Sequence, residues 1–343
     1  MKAIDLFCGA GGLTVGLKMA GFNVVSAVEK EPIVSETYLM NHPDVSLLTG
    51  DIRELSPKEI MKNLGLKRGQ LDLLAGCPPC QGFSSLRTRN KNPSVNDERN
   101  DLIFSFLDFV KCFLPKVVML ENVPALAKDY RIEVFGNELK ALGYFIDSSS
   151  VAIEDASFFG VPQRRRRMVM LASRLGNLPR AEKSSDKVTV KDAIGNLPSP
   201  ELSDDFLHNI KENRTEKVKN IIKLIPKDGG SRCDLPYDYW LPCHKKYPDG
   251  FRDVYGRMKW NAVSPTITSG CTNPSKGRFL HPVQDRAITL REAALLQTFP
   301  SNYYFPIKHG KDKAALMIGN ALPPEFIKRH AEVIKKHLIE LGE

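Results

Sequence analysis

Short apolar runs alternate with amphipathic stretches through the first half of the chain. Residues 3–7, 24–28, 71–75 and 117–120 have strand length and are almost wholly apolar. Each is followed by a stretch with helical spacing of its apolar positions, at 13–20, 33–40, 102–113 and 134–142. Further apolar runs occupy 145–153 and 168–172. Alternation of this kind predicts an α/β domain around a mainly parallel sheet. After about residue 174 the texture changes to Pro, Gly, Ser and charge, in short segments without that rhythm, as far as about residue 285. One exception is 208–225, where Val218, Ile221, Ile222 and Ile225 have helical spacing beside Lys211, Arg214, Lys217, Lys219 and Lys223. It reads as a solvated basic face over a small core, with nucleic-acid contact as the alternative. Helical rhythm returns past residue 287, at 291–297 and Pro324–Leu341. The expected organisation is a large domain from 1–174 and 305–343, and a smaller one from 175–304 whose most irregular part is about 175–285.

Composition narrows the class. The 343 residues are 42% hydrophobic and 26% charged, as in an ordinary globular protein. No stretch stays apolar for the ~18 residues that a membrane-spanning helix needs. The N-terminus enters a strand-like run without an apolar leader, so the expected address is cytoplasmic. Seven cysteines, at 8, 77, 80, 112, 233, 243 and 271, suit reduced thiols better than a disulfide framework. A net charge of +9 makes a polyanionic partner plausible, although many basic proteins never touch nucleic acid.

Candidate chemistry clusters at the ends of the expected strands. The run Asp5-Leu6-Phe7-Cys8-Gly9-Ala10-Gly11-Gly12 leaves the first strand and opens the first helix. Glycines there let the backbone turn tightly and approach a ligand, as in many nucleotide folds, though a purely structural turn fits too. Phe7 suits an adenine face or a cation, or plain core. Glu29, about twenty residues on, ends the second strand, where a carboxylate can accept both ribose hydroxyls. Asp51, after the third strand, can accept from an adenine amino group; helix capping is the alternative for both acids. After the fourth strand comes Gly76-Cys77-Pro78-Pro79-Cys80-Gln81-Gly82-Phe83-Ser84, in which two prolines fix the backbone that aims Cys80. Cys77 and Cys80 also form a C-x-x-C, but no second pair completes a zinc site and no thioredoxin-like context surrounds it.

Taken with Glu121-Asn122-Val123, Gln163-Arg164-Arg165-Arg166-Arg167, the run 289–300 and Gly319-Asn320, these motifs stand in the order of the DNA cytosine-C5 methyltransferase family, which the chain closely resembles over nearly its whole length. The resemblance implies a Rossmann-like domain that binds S-adenosyl-L-methionine, without a metal, plus a target-recognition domain. It makes Cys80 the nucleophile at C6 of a cytosine flipped out of duplex DNA, because a thiolate adding there pushes electron density toward C5. It makes Glu121 the acid at ring N3, with Arg165 and Arg167 orienting it or meeting the base and its phosphates. The implied cofactor set is Phe7, Gly9, Gly11, Gly12, Glu29, Asp51, Ile52, Pro79, Leu102 and Asn320. The polar segment between Leu86 and Asp101 corresponds to a loop that closes over DNA. Segments beginning at Tyr255 and Ser264 resemble those that frame DNA recognition.

The resemblance also implies double-stranded DNA as partner, a monomer, and a companion restriction endonuclease acting on the same site without stable binding. Methylation of transfer RNA is the nearest rival, but the Cys-Phe-Thr signature of that branch is absent. A non-catalytic relative would be expected to lose the Pro-Cys pair or the Glu-Asn-Val acid, and both are intact.

Overall fold

The computed structural model describes residues 1–79 and 101–341, so Cys80 and most of the expected loop after Leu86 lie outside the described residues. The first element is β1 (Lys2–Leu6), followed by α1 (Gly12–Met19), β2 (Asn23–Glu29), α2 (Pro32–Asn41), β3 (Ser46–Thr49), α3 (Pro57–Asn63) and β4 (Leu73–Gly76). Then come α4 (Leu102–Phe113), β5 (Val117–Asn122), α5 (Tyr130–Ala141), β6 (Val151–Asp155) and β7 (Arg166–Ser173). The strands form one seven-stranded sheet in the order β3-β2-β1-β4-β5-β7-β6. Pairing is parallel from β3 through β5, while β7 runs antiparallel to both β5 and β6. Central strands such as Leu73–Gly76 and Val117–Asn122 are buried throughout, which is why they read as unbroken apolar runs. The apolar run at 145–153 behaves differently: regular pairing starts only at Val151, and Phe145 makes an isolated bridge to Ser173.

The chain divides into two compact units. The first is Met1–Phe159 with Arg166–Lys183 and Leu322–Glu343; the second is Gly160–Arg165 with Ser184–Ala321. These boundaries depart from the expected 174/175 and 304/305 divisions, and side-chain anchors explain the departure. Arg180 reaches back to Glu154 at 3.1 Å and to the Val169 carbonyl at 3.2 Å, which ties 175–183 to the sheet. In the other direction, 305–321 belongs with the second unit: Gln297 donates to the Ile318 carbonyl at 2.6 Å, and an Arg165 η nitrogen donates to the Gly319 carbonyl at 3.1 Å.

Helices in the second unit are α6 (Val190–Ile194), α7 (Glu216–Leu224), α8 (Pro242–Lys246), α9 (Leu290–Leu296) and α10 (Lys311–Asn320). The stripe of α7 is a small core: Ile221, Ile222 and Ile225 are buried with Leu235, Tyr255 and Leu280. Its C-terminal carbonyls are capped by the fully buried Arg257, which donates to Ile222 at 2.7 Å and Ile225 at 3.1 Å. The helix therefore has the basic-face-over-core character expected of it.

In the first unit α1 lies against the C-terminal helix Pro324–Leu341. A Cβ on Gly12 would stand 2.3 Å from the Leu322 carbonyl oxygen, and one on Gly16 would stand 2.5 Å from both the Ile327 Cβ and the Pro324 carbonyl oxygen. Both glycines are thus required by close packing. Among the described residues no helix is long and apolar enough to cross a membrane.

Candidate active site

Strand order reverses between β1 and β4, and ligands of doubly wound sheets bind outside the carboxyl ends at such a point. The glycine turn after β1 and the Cys77-Pro78-Pro79 segment after β4 both lie there. Phe7 leaves β1 with φ +64, an uncommon conformation for a residue with a side chain. Gly9 and Gly11 follow with φ +55 and +92. A Cβ on Gly9 would meet no atom within 4 Å, so open space adjoins the turn there, whereas the space beside Gly12 is filled by the chain itself.

Glu29 closes this turn from the neighbouring strand. One of its oxygens accepts from the Gly9 amide at 2.9 Å and the other from the Glu31 amide at 2.8 Å. Burial raises its carboxyl above the ordinary range, and those amide donors oppose the shift. Asp51 is engaged with its own surroundings: it caps the turn Ile52–Glu54 through the Arg53 amide and pairs with the Arg53 guanidinium at 2.6 Å and Lys30 at 2.9 Å. Arg53 chiefly holds its carboxyl well below the usual range. The capping role weighed from sequence is therefore present, alongside two ion pairs that sequence did not reveal. Ile52 is buried, Leu102 is the buried first residue of α4, and Pro79 is exposed.

The acid at the end of β5 is 1% exposed. Glu121 Oε1 lies 3.0 Å from Nε of Arg167, and Oε2 accepts from the Cys77 thiol at 2.7 Å. Next to it, Asn122 donates to the Pro78 carbonyl at 2.9 Å, which ties the proline turn to β5. Strand register produces this meeting. Gly76 pairs with Leu120 across β4 and β5, so the residues next after that pair, Cys77 and Glu121, are neighbours.

The Gln-Arg run separates into inward and outward residues. Arg164 and Arg166 are exposed. Gln163 is fully buried in the second unit, where it donates to Gln297 at 2.8 Å and accepts from the Ile267 amide at 2.9 Å. Arg165, 3% exposed, donates to the carbonyls of Ile267 and Gly319, each at 3.1 Å. Arg167, in the first unit, is ion-paired with Glu121. Asn320 is the exposed last residue of α10.

Sequence reasoning missed the thiol of Cys77, which it weighed only as half of a C-x-x-C. Its place beside Glu121 depends on register between two strands more than forty residues apart, which no local pattern carries.

Sheet order and the switch-point turns define a doubly wound, Rossmann-like α/β fold, the fold of C5-methyltransferases. Residues 1–336 match the model of the C-5 cytosine-specific DNA methylase family, and the chain belongs to that family as a DNA (cytosine-5) methyltransferase. It is 36% identical to the Type II methylase M.HgiDII of Herpetosiphon aurantiacus, over 99% of this chain and 96% of that one. With the Type II methyltransferase M1.HphI of Haemophilus parahaemolyticus it shares 32% identity, over 97% and 86% of the two chains. A crystal structure of a prophage-encoded DNA modification methyltransferase from Escherichia coli superposes with a TM-score of 0.69 at 26% identity, covering 100% of this chain and 99% of that one. DNMT2 of Spodoptera frugiperda, at 19% identity and a TM-score of 0.61 over 97% and 99% of the two chains, shares the fold.

Proposed function

We propose that the enzyme moves a methyl group from S-adenosylmethionine to C5 of a cytosine rotated out of a specific duplex DNA sequence. The observation that carries this reading is the buried Glu121 carboxyl group, contacted by Cys77 and Arg167 at the strand ends next to the Pro78-Pro79 turn. Flipping is required because neither face of C6 nor ring N3 is open to an enzyme inside a stacked duplex. Cys80 adds to C6 as thiolate, and Glu121 delivers or shares a proton at N3 as negative charge develops there. Arg167 keeps that acid oriented. Arg165 anchors the 163–165 segment through two η nitrogens on backbone carbonyls and, with Arg167, would orient Glu121 or meet the base. After C5 is methylated, water removes the C5 proton and the Cys80–C6 bond breaks, restoring the aromatic ring.

The cofactor residues fit such a ligand. Open space adjoins Gly9, and a carboxylate has about four acceptor sites, so Glu29 can receive two ribose hydroxyls beside its two amide donors. Phe7 would lie against the ligand, Asp51 and Ile52 would hold the adenine edge, and Gly11, Gly12, Pro79, Leu102 and Asn320 complete the set by family resemblance. When bound, S-adenosylmethionine supplies an electrophilic methyl group on a sulfonium centre.

The second unit would read the target sequence in double-stranded DNA. The Type II names of the relatives support a restriction-modification setting. In our reading the enzyme acts there as a monomer in a prokaryotic cytoplasm, sharing its site with an endonuclease that it does not stably bind. The test is incubation with methyl-labelled S-adenosylmethionine and, separately, mixed-sequence duplex DNA, 5-fluorocytosine duplex DNA and total transfer RNA. Label in DNA, with a denaturant-stable adduct to the fluorinated duplex that disappears in Cys80→Ala, is the expected result. Label in RNA alone overturns the substrate, and turnover by Cys80→Ala overturns the nucleophile.

A further inference from the structure

A carboxyl group bound through one oxygen can still turn about its last side-chain torsion, which has a broad, roughly two-fold profile. Glu121 is engaged at both, by a hydrogen bond on Oε2 and by the guanidinium charge of Arg167 at 3.0 Å from Oε1. In the sheet, β5 lies between β4 and β7, and each neighbour supplies one contact: Cys77 at the end of β4 on Oε2, and Arg167 in β7 on Oε1. The main chain reinforces this, since the Asn122 side chain fixes the carbonyl of Pro78, immediately after Cys77.

From this fork we infer that Cys77 is a positioning residue for methyl transfer, its thiol fixing the rotation of the Glu121 carboxyl group so that the acid meets ring N3 of the flipped cytosine. The inference rests on the proposed role of Glu121 and adds a residue to it. A thiol suits the task because it is a weak donor. It restrains the carboxyl group while competing little with the stronger bond that the base makes on arrival. Misplacement by about 1 Å can cost on the order of 10²-fold in rate, so losing one arm of the fork should be visible in turnover.

The experiment compares Cys77→Ala and Cys77→Ser with the parent, Glu121→Gln and Cys80→Ala in steady-state methyl transfer to duplex DNA. Rates of the parent and the two Cys77 variants are expressed per enzyme molecule able to form the fluorocytosine adduct, and those of Glu121→Gln and Cys80→Ala per molecule folded by circular dichroism, so that unfolded protein is not counted. Cys77→Ala should lower kcat by about 10–10²-fold with KM for DNA and for the methyl donor within about twofold of the parent. Cys77→Ser, whose hydroxyl also donates to a carboxylate, should recover most of that loss. A Cys77→Ala rate within about twofold of the parent overturns the inference, as does a serine variant impaired as deeply as the alanine one, or a loss confined to KM. Active Cys80→Ala or Glu121→Gln would instead sink the functional reading. Two dead variants beside a normal Cys77→Ala would leave that reading intact and remove only the role of Cys77.

Discussion

Asp5 is fully buried and accepts the Thr14 hydroxyl proton at 2.7 Å. Having given that proton away, Thr14 can only accept from the Tyr38 hydroxyl at 2.8 Å. Burial pushes the Asp5 carboxyl up to about 7, against about 3.9 in an unfolded chain. Between those values the folded state holds a proton that the unfolded state lacks. Stability from this group is thus complete below about pH 4 and is lost as pH rises toward 7, at up to roughly 1.4 kcal/mol per unit. Asp5→Asn should remove that slope: its melting temperature should gain on the parent's between pH 5 and pH 8, and parallel curves would refute the assignment. For the chemistry, Glu121→Gln should reduce kcat by about 10²–10⁴-fold, measured as label transfer at saturating substrates. Asp51→Ala should chiefly weaken binding of the methyl donor, seen by calorimetry, but it also removes the ion pairs with Arg53 and Lys30 and the cap on Ile52–Glu54. Equal affinity in parent and variant would exclude Asp51 from the cofactor site.

Between elements, the contact of α1 with the C-terminal helix depends on two absent side chains. Gly12→Ala places a methyl 2.3 Å from the Leu322 carbonyl oxygen, and because the obstacle is backbone it cannot rotate aside. Overpacking of this kind costs about 1–3 kcal/mol, and each kcal/mol lowers the melting temperature by roughly 2–4 °C in a domain of this size. An unchanged melting curve would show that the helix yields. The case also shows what the sequence could convey. It signalled that glycine was needed after β1, but the same letter serves a left-handed turn at Gly11 and close packing at Gly12, and only the fold separates them. Strands β1, β2, β4 and β5 were legible because most of their positions are buried and apolar, with few polar residues such as Asp5 and Ser26 to blur the run. The run at 145–153 was less so, since its half-exposed positions lie toward the edge of the sheet, where pairing begins late.

At the scale of the whole molecule, a charge of +9 should make DNA binding strongly salt-dependent. KM for duplex DNA should rise steeply between 50 and 200 mM salt (about 10-fold or more) while kcat changes little; a flat response would argue against a phosphate-led encounter. Order and spacing of the motifs carried the family, and hence most of the candidate site. Domain boundaries were less legible, because they depend on where Gln163, Arg165 and Gln297 find carbonyls and amides far along the chain. That arrangement bears on anyone who would build hybrids from two such enzymes. Cutting at the change of texture near residues 174 and 285 would leave the donor's 175–285 segment facing a foreign Gln163, Arg165 and α10. A transplant that carries 160–165 together with 184–321 keeps every one of those bonds native, and makes the unit portable as two pieces of chain rather than one.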